Sequence, residues 1–245
     1  MTSRLRHSMT IPTIELVLKT EKPLDFDNSV GLRGFVGRNF SGDVFLHNHD
    51  DDNLVYSYPR IQYKIINSRA CIIGLAEGVN SIKNIPPIEN IVLGHEDVKV
   101  NGIDLSERQS TFGVLDAQKN YSFLTPWLAL NEKNYDIYRG FGSWEKKKNL
   151  LEKILIGNII SISKSLGYTV PEPIKIKILQ LKEVPAALKS VYMIGFLGTF
   201  SVNFEIPDYW GIGKSVSRGF GALLGWKNLL MKINAKVSKY DNYSA

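Results

Sequence analysis

The sequence predicts an α+β fold built from two tandem ferredoxin-like modules, each with the element order strand–helix–strand–strand–helix–strand. Three observations lead to this prediction. Segments with strand periodicity alternate with segments of helical periodicity, nearly the same series of elements occurs twice, and a length of 245 residues accommodates two domains of ordinary size. We expect the first module to span residues 11–110 and the second to span residues 111–235.

In the first module, alternating apolar and polar residues predict a strand at 13–19, and a helix follows at 25–40. Within this helix Gly31, Gly34 and Gly37 recur at every third position, which weakens the helix but leaves a bare face for close approach. The remaining elements are a polar loop at 47–53, hairpin strands at 60–66 and 69–75, a short helix at 77–85, and closing strands at 91–93 and 98–105.

The second module begins with a predicted strand at 120–130 and contains the strongest helix pattern of the chain at 143–166. We expect Ser143 to cap this helix and Gly167 to end it. The later elements are strands at 174–178 and 191–206, a glycine-rich loop at 211–221, and a closing segment at 222–224. No helix pattern precedes this last segment, so the glycine-rich loop occupies the position of the module's second helix.

Composition excludes several classes of protein. Apolar residues make up 44% of the chain, which excludes intrinsic disorder, and the single cysteine excludes a disulfide framework or a cysteine-rich zinc module. We expect that cysteine, Cys71, to be a small buried residue. The longest apolar stretch, 191–204, is too short to cross a bilayer and no secretory signal is evident, so we expect a cytoplasmic protein without a membrane partner.

The net charge of 30 − 24 = +6 is unevenly distributed. Residues 1–112 carry 12 basic and 14 acidic side chains, a net charge of −2, whereas residues 113–245 carry 18 and 10, a net charge of +8. A basic field confined to the second half favours a polyanionic partner such as a nucleic acid. The alternative is a basic protein without such a partner, which charge alone does not exclude.

The glycine-rich loop has four glycines in the pattern G-x-G-x5-G-x-G. It is not the phosphate loop of nucleotide hydrolases, because Asp208 stands where that motif needs a glycine, and Val216 excludes the dinucleotide fingerprint. Such glycines can turn backbone N–H groups toward an anion, with Lys214 and Arg218 adding charge and Phe220 a stacking face. The alternative is a loop shaped only by packing. The candidate binding residues are Gly211, Gly213, Lys214, Ser215, Arg218, Gly219, Phe220 and Gly221.

Two of the four histidines, His47 and His49, stand two residues apart in the polar loop. In extended backbone such a pair points the same way, so both imidazoles can reach one phosphate. Imidazole exchanges protons near neutral pH, which suits acid–base cleavage of RNA by its own ribose 2′-OH. Two alternatives stay open: a metal site at this His-x-His-x-Asp pattern, for which the sequence offers few further ligands, and a solvated surface loop. We predict no metal and no other cofactor.

The glycine-rich loop resembles the signature of the repeat-associated mysterious protein (RAMP) superfamily, and in particular of its endoribonucleases that process precursor CRISPR RNA. The segment from Tyr58 to Lys64, with the sequence YPRIQYK, is similar to the strand that follows the catalytic loop in that family. The resemblance covers about residues 11–224. It implies two ferredoxin-like modules, a CRISPR repeat RNA as substrate, and metal-independent cleavage that gives a 2′,3′-cyclic phosphate and a 5′-OH.

The residue patterns, together with the resemblance, suggest roles for individual residues. His47 and His49 are the expected catalytic pair, with His47 favoured as the base, although the acidic run 50–52 departs from the family pattern and would repel phosphate. Lys64 is expected to stabilise charge on the pentavalent phosphate, or else to be a solvated strand lysine. The expected RNA-binding residues outside the glycine-rich loop are Arg33, Arg38, Arg60, Lys175 and Lys177.

These observations together predict an endoribonuclease. The main alternative is a non-catalytic RNA-binding subunit of a CRISPR interference complex, which would share the fold and the loop but would have no use for two histidines. A metal-dependent nuclease and a structural protein with an accidental glycine-rich loop are more distant alternatives. Other CRISPR-associated proteins and a second copy of the chain are further candidate partners.

Overall fold

The computed structural model of the protein describes residues 7–47, 58–188 and 191–228. The strands are β1 (His7–Thr20), β2 (Ile61–Ile66), β3 (Arg69–Leu75), β4 (Asn90–Leu93), β5 (Glu96–Phe123), β6 (Ile176–Leu188), β7 (Val191–Glu205) and β8 (Leu223–Gly225). The helices are α1 (Asn28–Asn39), α2 (Val44–His47), α3 (Gly78–Lys83), α4 (Glu132–Gly140) and α5 (Trp144–Ser165), and a 3-10 turn spans Val216–Arg218. None of the helices in the described ranges is long and apolar enough to cross a membrane.

The strands form antiparallel pairs in the same order in both halves of the chain. In the first half the order is β5-β1-β3-β2, and in the second half it is β8-β5-β7-β6. Each half therefore arranges its strands as fourth, first, third and second, which is the order of a ferredoxin-like βαββαβ unit. The predicted tandem ferredoxin-like fold is confirmed, and the glycine-rich loop takes the place of the second helix in the second module.

One long strand, β5, belongs to both modules. Its first part pairs with β1 up to Val114, and its last part pairs with β7 and β8. The register against β7 shifts between Val114 and Lys119, at the passage from one module to the other. The sequence predicts two separate strands here, ending at 105 and 130. The structure instead has one strand that ends at Phe123, so the predicted division at 110/111 falls inside it.

Two large apolar clusters form the core, and the larger one combines the second module with Ile11, Ile73 and Leu75 of the first. The stripe on α5 packs into the larger cluster through Leu151, Leu155, Ile159 and Ile162, whereas α1 and α3 cover the other one. A small third cluster contains Ile66 and Cys71 from the first module and Ala222 from the second. Cys71 is 3% exposed, which confirms the prediction of a small buried residue.

Local sequence signals explain two helices of the second module. Ser143 accepts a hydrogen bond at 3.4 Å from the backbone N–H of Lys146, so the predicted cap of α5 is confirmed. Helix α4 was not predicted, although the side chain of Asn131 accepts a hydrogen bond from the backbone N–H of Asn134 and caps it. The signal was present in the sequence, but the helix has only nine residues and buries only Tyr138.

Candidate nucleic-acid interface

Strand β2 presents two different faces to the two modules. The odd-numbered residues Ile61, Tyr63 and Ile65 pack into the core of the first module beneath α1. The even-numbered residues Gln62 and Lys64 contact the glycine-rich loop of the second module. Because side chains alternate along a strand, one short segment can hold both modules at the same time.

Three polar side chains on this side of β2 hold the glycine-rich loop. The hydroxyl of Tyr58 donates to the carbonyl of Gly211 at 2.7 Å, and Oε1 of Gln62 accepts from the N–H of the same glycine at 2.8 Å. Nζ of Lys64 donates to the carbonyl of Val216 at 3.4 Å, at the start of the 3-10 turn. The first module therefore fixes both the beginning and the middle of the loop.

Packing inside the protein accounts for the glycines of the loop. A Cβ on Gly213, where φ is +93°, would lie 2.6 Å from the indole of Trp127, and one on Gly221, where φ is +66°, would lie 2.0 Å from the carbonyl oxygen of Ile212. The N–H groups of Gly211, Gly219 and Gly221 all donate to groups of the protein. For Gly211, Gly219 and Gly221 the prediction that their N–H groups turn toward an anion is therefore wrong, and the packing alternative holds. For Gly213 it stays a prediction.

The exposed part of the loop is smaller than the sequence predicts. Phe220 is 1% exposed and its ring packs edge-on against Phe26, so the predicted stacking face does not exist. Gly211, Gly219 and Gly221 are also buried. The members of the predicted set that reach the surface are Gly213, Lys214, Ser215 and Arg218.

Two arginines meet where the modules join. Arg33 on α1 and Arg218 on the 3-10 turn are both half-buried. The pKa of Arg33 is lowered, first because burial desolvates its guanidinium and second because the charge of Arg218 lies close by. Nε of Arg33 is buried without a hydrogen-bond partner, and within the described ranges neither guanidinium forms an ion pair. Among the described residues, no carboxylate compensates the positive charge of this pair.

Tyr63 connects this arginine pair to the predicted histidine loop. Its hydroxyl donates to the carbonyl of Leu46 in α2 at 3.0 Å, and the charge of Arg33 acts on the same hydroxyl. Burial raises the pKa of Tyr63, so it stays a neutral donor. The next residue, His47, ends α2. The side chain of His47 and the whole of His49 lie outside the described residues, so their predicted roles stay predictions.

Lys64 does not lie where the sequence predicts. It lies on the face of β2 opposite to Tyr63 as expected, but both faces are covered and Lys64 is 0% exposed. It is therefore neither a solvated strand lysine nor a surface group beside the scissile phosphate. Burial lowers the pKa of Lys64 to about 7, an effect that Cys71 on the paired strand β3 opposes.

Arg60 is also engaged inside the protein. Its Nε donates to a carboxylate oxygen of Glu77 at 2.6 Å, and its Nη1 and Nη2 donate to the carbonyls of Tyr58, at 3.1 Å, and Ser165, at 2.7 Å. These bonds connect the residue before β2 to the end of α5 and occupy the guanidinium of Arg60. The predicted contact of Arg60 with RNA is therefore not available. The exposed side chains of Arg38, Lys175 and Lys177 stay predicted RNA-binding residues.

A groove lies between α4 and the β6–β7 hairpin and borders Lys214. Tyr135 and Tyr192 line this groove, and Tyr192 is 90% exposed. Glu132 and Asp136 line it too, and their carboxylates repel a phosphate backbone. The arginine pair at the junction of the modules is therefore the better candidate interface for a nucleic acid.

The fold is similar to that of a RAMP protein. A solved structure described as an RAMP protein that binds different RNA substrates superimposes with a TM-score of 0.53 at 15% identity, over 89% of this chain and 99% of that one. At this identity the likeness concerns the fold alone.

Sequence comparison then identifies the family. The Cas6b N-terminal domain matches residues 9–111 and the Cas6b C-terminal domain matches residues 113–225, so the chain belongs to the Cas6b family. A crystal structure of Cas6b is 38% identical with a TM-score of 0.84, and covers 89% of this chain and 100% of its own. A structure of the CRISPR RNA processing endoribonuclease Cas6b is 34% identical with a TM-score of 0.71 over the same shares. An uncharacterized protein of Methanocaldococcus jannaschii is 50% identical over 113 residues, which are 46% of this chain and 76% of that protein.

Proposed function

We propose that the protein is an endoribonuclease that processes CRISPR RNA by cutting it within the repeat. Membership of the Cas6b family and 34% identity to a CRISPR RNA processing endoribonuclease support this activity. The observation that carries the proposal is the pair of Arg33 and Arg218 at the junction of the modules, beside Tyr63 and the end of α2. Neither arginine forms an ion pair with another described residue.

The arginine pair is suited to an RNA phosphate. Guanidinium groups bind phosphate oxygens through two parallel hydrogen bonds, and two of them can share one phosphate or two neighbouring ones. In the free protein the positive charges of Arg218 and Arg33 repel each other, and Nε of Arg33 lacks an acceptor among the described residues. A bound phosphate would relieve the repulsion and supply the missing acceptor, so binding is favoured at this point of the surface.

The proposed reaction is an intramolecular transesterification. The ribose 2′-oxygen attacks the neighbouring phosphorus and gives its proton to a base, while the bond from phosphorus to the 5′-oxygen breaks and that oxygen takes a proton from an acid. The products are a 2′,3′-cyclic phosphate and a 5′-OH. We assign the base and the acid to His47 and His49. The arginine pair, rather than the buried Lys64, would stabilise the charge on the pentavalent phosphate.

A repeat RNA with a single 2′-deoxy substitution at the cleavage site tests this chemistry. We expect the modified RNA to bind as the unmodified RNA does but to remain intact, and we expect EDTA to leave cleavage of the unmodified RNA unchanged. Mass analysis of the ends should show the cyclic phosphate and the 5′-OH. Cleavage of the 2′-deoxy RNA would rule out the mechanism, and loss of activity in EDTA would indicate a metal-dependent nuclease.

Histidine variants complete the test. His47→Ala and His49→Ala should each abolish cutting while RNA binding persists. His95→Ala is the matched control, because this histidine is exposed in the turn between β4 and β5, away from the two candidates in sequence. Tight binding of repeat RNA by the unmodified protein without any cleavage would instead support the non-catalytic RNA-binding subunit.

A further inference from the structure

The ammonium of Lys64 is an unusual group to bury. It is 0% exposed, and the acceptor that the structure gives it is the carbonyl of Val216 at 3.4 Å. A buried charge with so few partners destabilises a fold, and an apolar side chain of similar length would remove that cost. The position of Lys64 therefore calls for a reason other than stability.

The acceptor of Lys64 begins the turn that carries Arg218. The carbonyl of Val216 also accepts from the N–H of Gly219, and the N–H of Arg218 donates to the carbonyl of Ser215 at 2.8 Å. Val216 and Gly219 therefore bracket Arg218, and the orientation of this one carbonyl is linked to the direction of the arginine. The loop is also tightly filled at this point, because a Cβ on Gly211 would lie 2.9 Å from Nζ of Lys64.

We propose that Lys64 is a positioning residue for RNA binding, which sets the orientation of the 3-10 turn through the carbonyl of Val216 and so directs Arg218 toward the phosphate site. Tyr58 and Gln62 fix the start of the same loop at Gly211. The bond from Lys64 therefore sets the orientation of the turn relative to a fixed start of the loop. The inference rests on the proposed function, because it assigns to Lys64 a role in presenting Arg218 to RNA.

A Lys64→Met variant separates positioning from simple support of the fold. Methionine keeps most of the length and volume but removes the ammonium. We expect the affinity for repeat RNA to fall about 10-fold, while the midpoint of thermal unfolding stays the same or rises. A residue that merely supports the fold would lower stability and affinity together. Lys19→Met is the matched control, since Lys19 is an exposed lysine paired with Asp104, and it should change the affinity less than 2-fold.

A double-mutant cycle with Arg218→Ala asks whether Lys64 acts through the arginine. If it does, the Lys64→Met/Arg218→Ala protein should bind RNA no more weakly than Arg218→Ala alone. If the two losses multiply instead, Lys64 does not act through Arg218 and the inference is overturned. Unchanged affinity in Lys64→Met would overturn it as well, provided that Arg218→Ala weakens binding. If Arg218→Ala itself leaves the affinity unchanged, RNA does not bind at the arginine pair and that part of the proposed function is wrong.

A second variant keeps the proposal testable if Lys64→Met does not fold. Lys64→Gln keeps a neutral donor that can bond to the carbonyl of Val216 but lacks the charge. We expect its affinity to fall between those of the unmodified protein and Lys64→Met. An affinity for Lys64→Gln below that of Lys64→Met, with both proteins folded by circular dichroism, would contradict a role based on the hydrogen bond to Val216.

Discussion

The same topological position is filled in opposite ways in the two modules. In the first module α3 stands between the third and fourth strands and buries Val79 and Ile82 against its own sheet. In the second module the glycine-rich loop stands there, and polar side chains from β2 of the other module hold it. The difference teaches that α3 is supported within its own module, whereas the glycine-rich loop is held both by its own module and by the first.

Breaking the shape of the loop should have the largest effect. Gly221→Ala places a Cβ 2.0 Å from the carbonyl oxygen of Ile212 at a φ of +66°. We expect the free energy of unfolding to fall by about 3 kcal/mol in urea titrations. Gly157→Ala on the exposed side of α5 is the control, because a Cβ there meets nothing within 4 Å and should stabilise the protein by about 0.5–1 kcal/mol. Equal effects of the two substitutions would contradict the packing role of the loop.

The burial of Lys64 beneath the glycine-rich loop should make the free energy of unfolding depend on pH. Helix α3 of the first module covers no such buried lysine among the described residues. The pKa of Lys64 is about 7 in the folded protein, against a reference value of 10.5 for the unfolded chain. Between these values the unfolded chain binds the extra proton, so stability should rise with pH, by about 2 kcal/mol from pH 7 to pH 9. The measurement is urea unfolding of the unmodified protein and of Lys64→Met at each pH. The difference between the two proteins removes the contributions of other groups, and parallel curves would contradict the low pKa.

Two basic residues at equivalent positions offer a comparison of function. Lys83 lies in the last turn of α3 and pairs with Glu107 at 2.7 Å, whereas Arg218 in the 3-10 turn forms no ion pair within the described ranges. We expect Arg218→Ala to weaken RNA binding about 10-fold, or about 1.4 kcal/mol, and to lower the salt dependence of binding by about one phosphate contact. Lys83→Ala should change the affinity less than 2-fold. Equal losses of affinity in the two variants would mean that RNA does not prefer the surface around the glycine-rich loop to the surface around α3.

Much of the fold was predictable because its signals are local. The alternation in β1, the turn Asn67-Ser68 between β2 and β3, and the cap at Ser143 each depend on neighbouring residues. The continuity of β5 was not predictable, since the strand is set by pairing with β1 on one side and with β7 and β8 on the other.

The candidate site shows where sequence patterns stop being informative. Arg33 and Arg218 were both predicted as binding residues, but their proximity depends on how the modules join. Arg60, Gln62 and Lys64 are polar residues at alternate positions, and this pattern resembles an exposed face of a strand. That face is buried, because Tyr58, Gln62 and Lys64 find their partners in a loop about 150 residues further along the chain. The burial of Phe220 was not predicted for the same reason, since its partner Phe26 is even more distant in the sequence.

The shared strand β5 has a consequence for how the protein meets its ligand. Two domains joined by a loose linker can open and close around a substrate, but here the backbone crosses from one module to the other within a hydrogen-bonded sheet. The spacing between the two arginines is thus settled when the chain folds. If the pair binds RNA as proposed, the RNA backbone would have to adapt to a spacing that the fold sets, rather than the protein closing around the RNA.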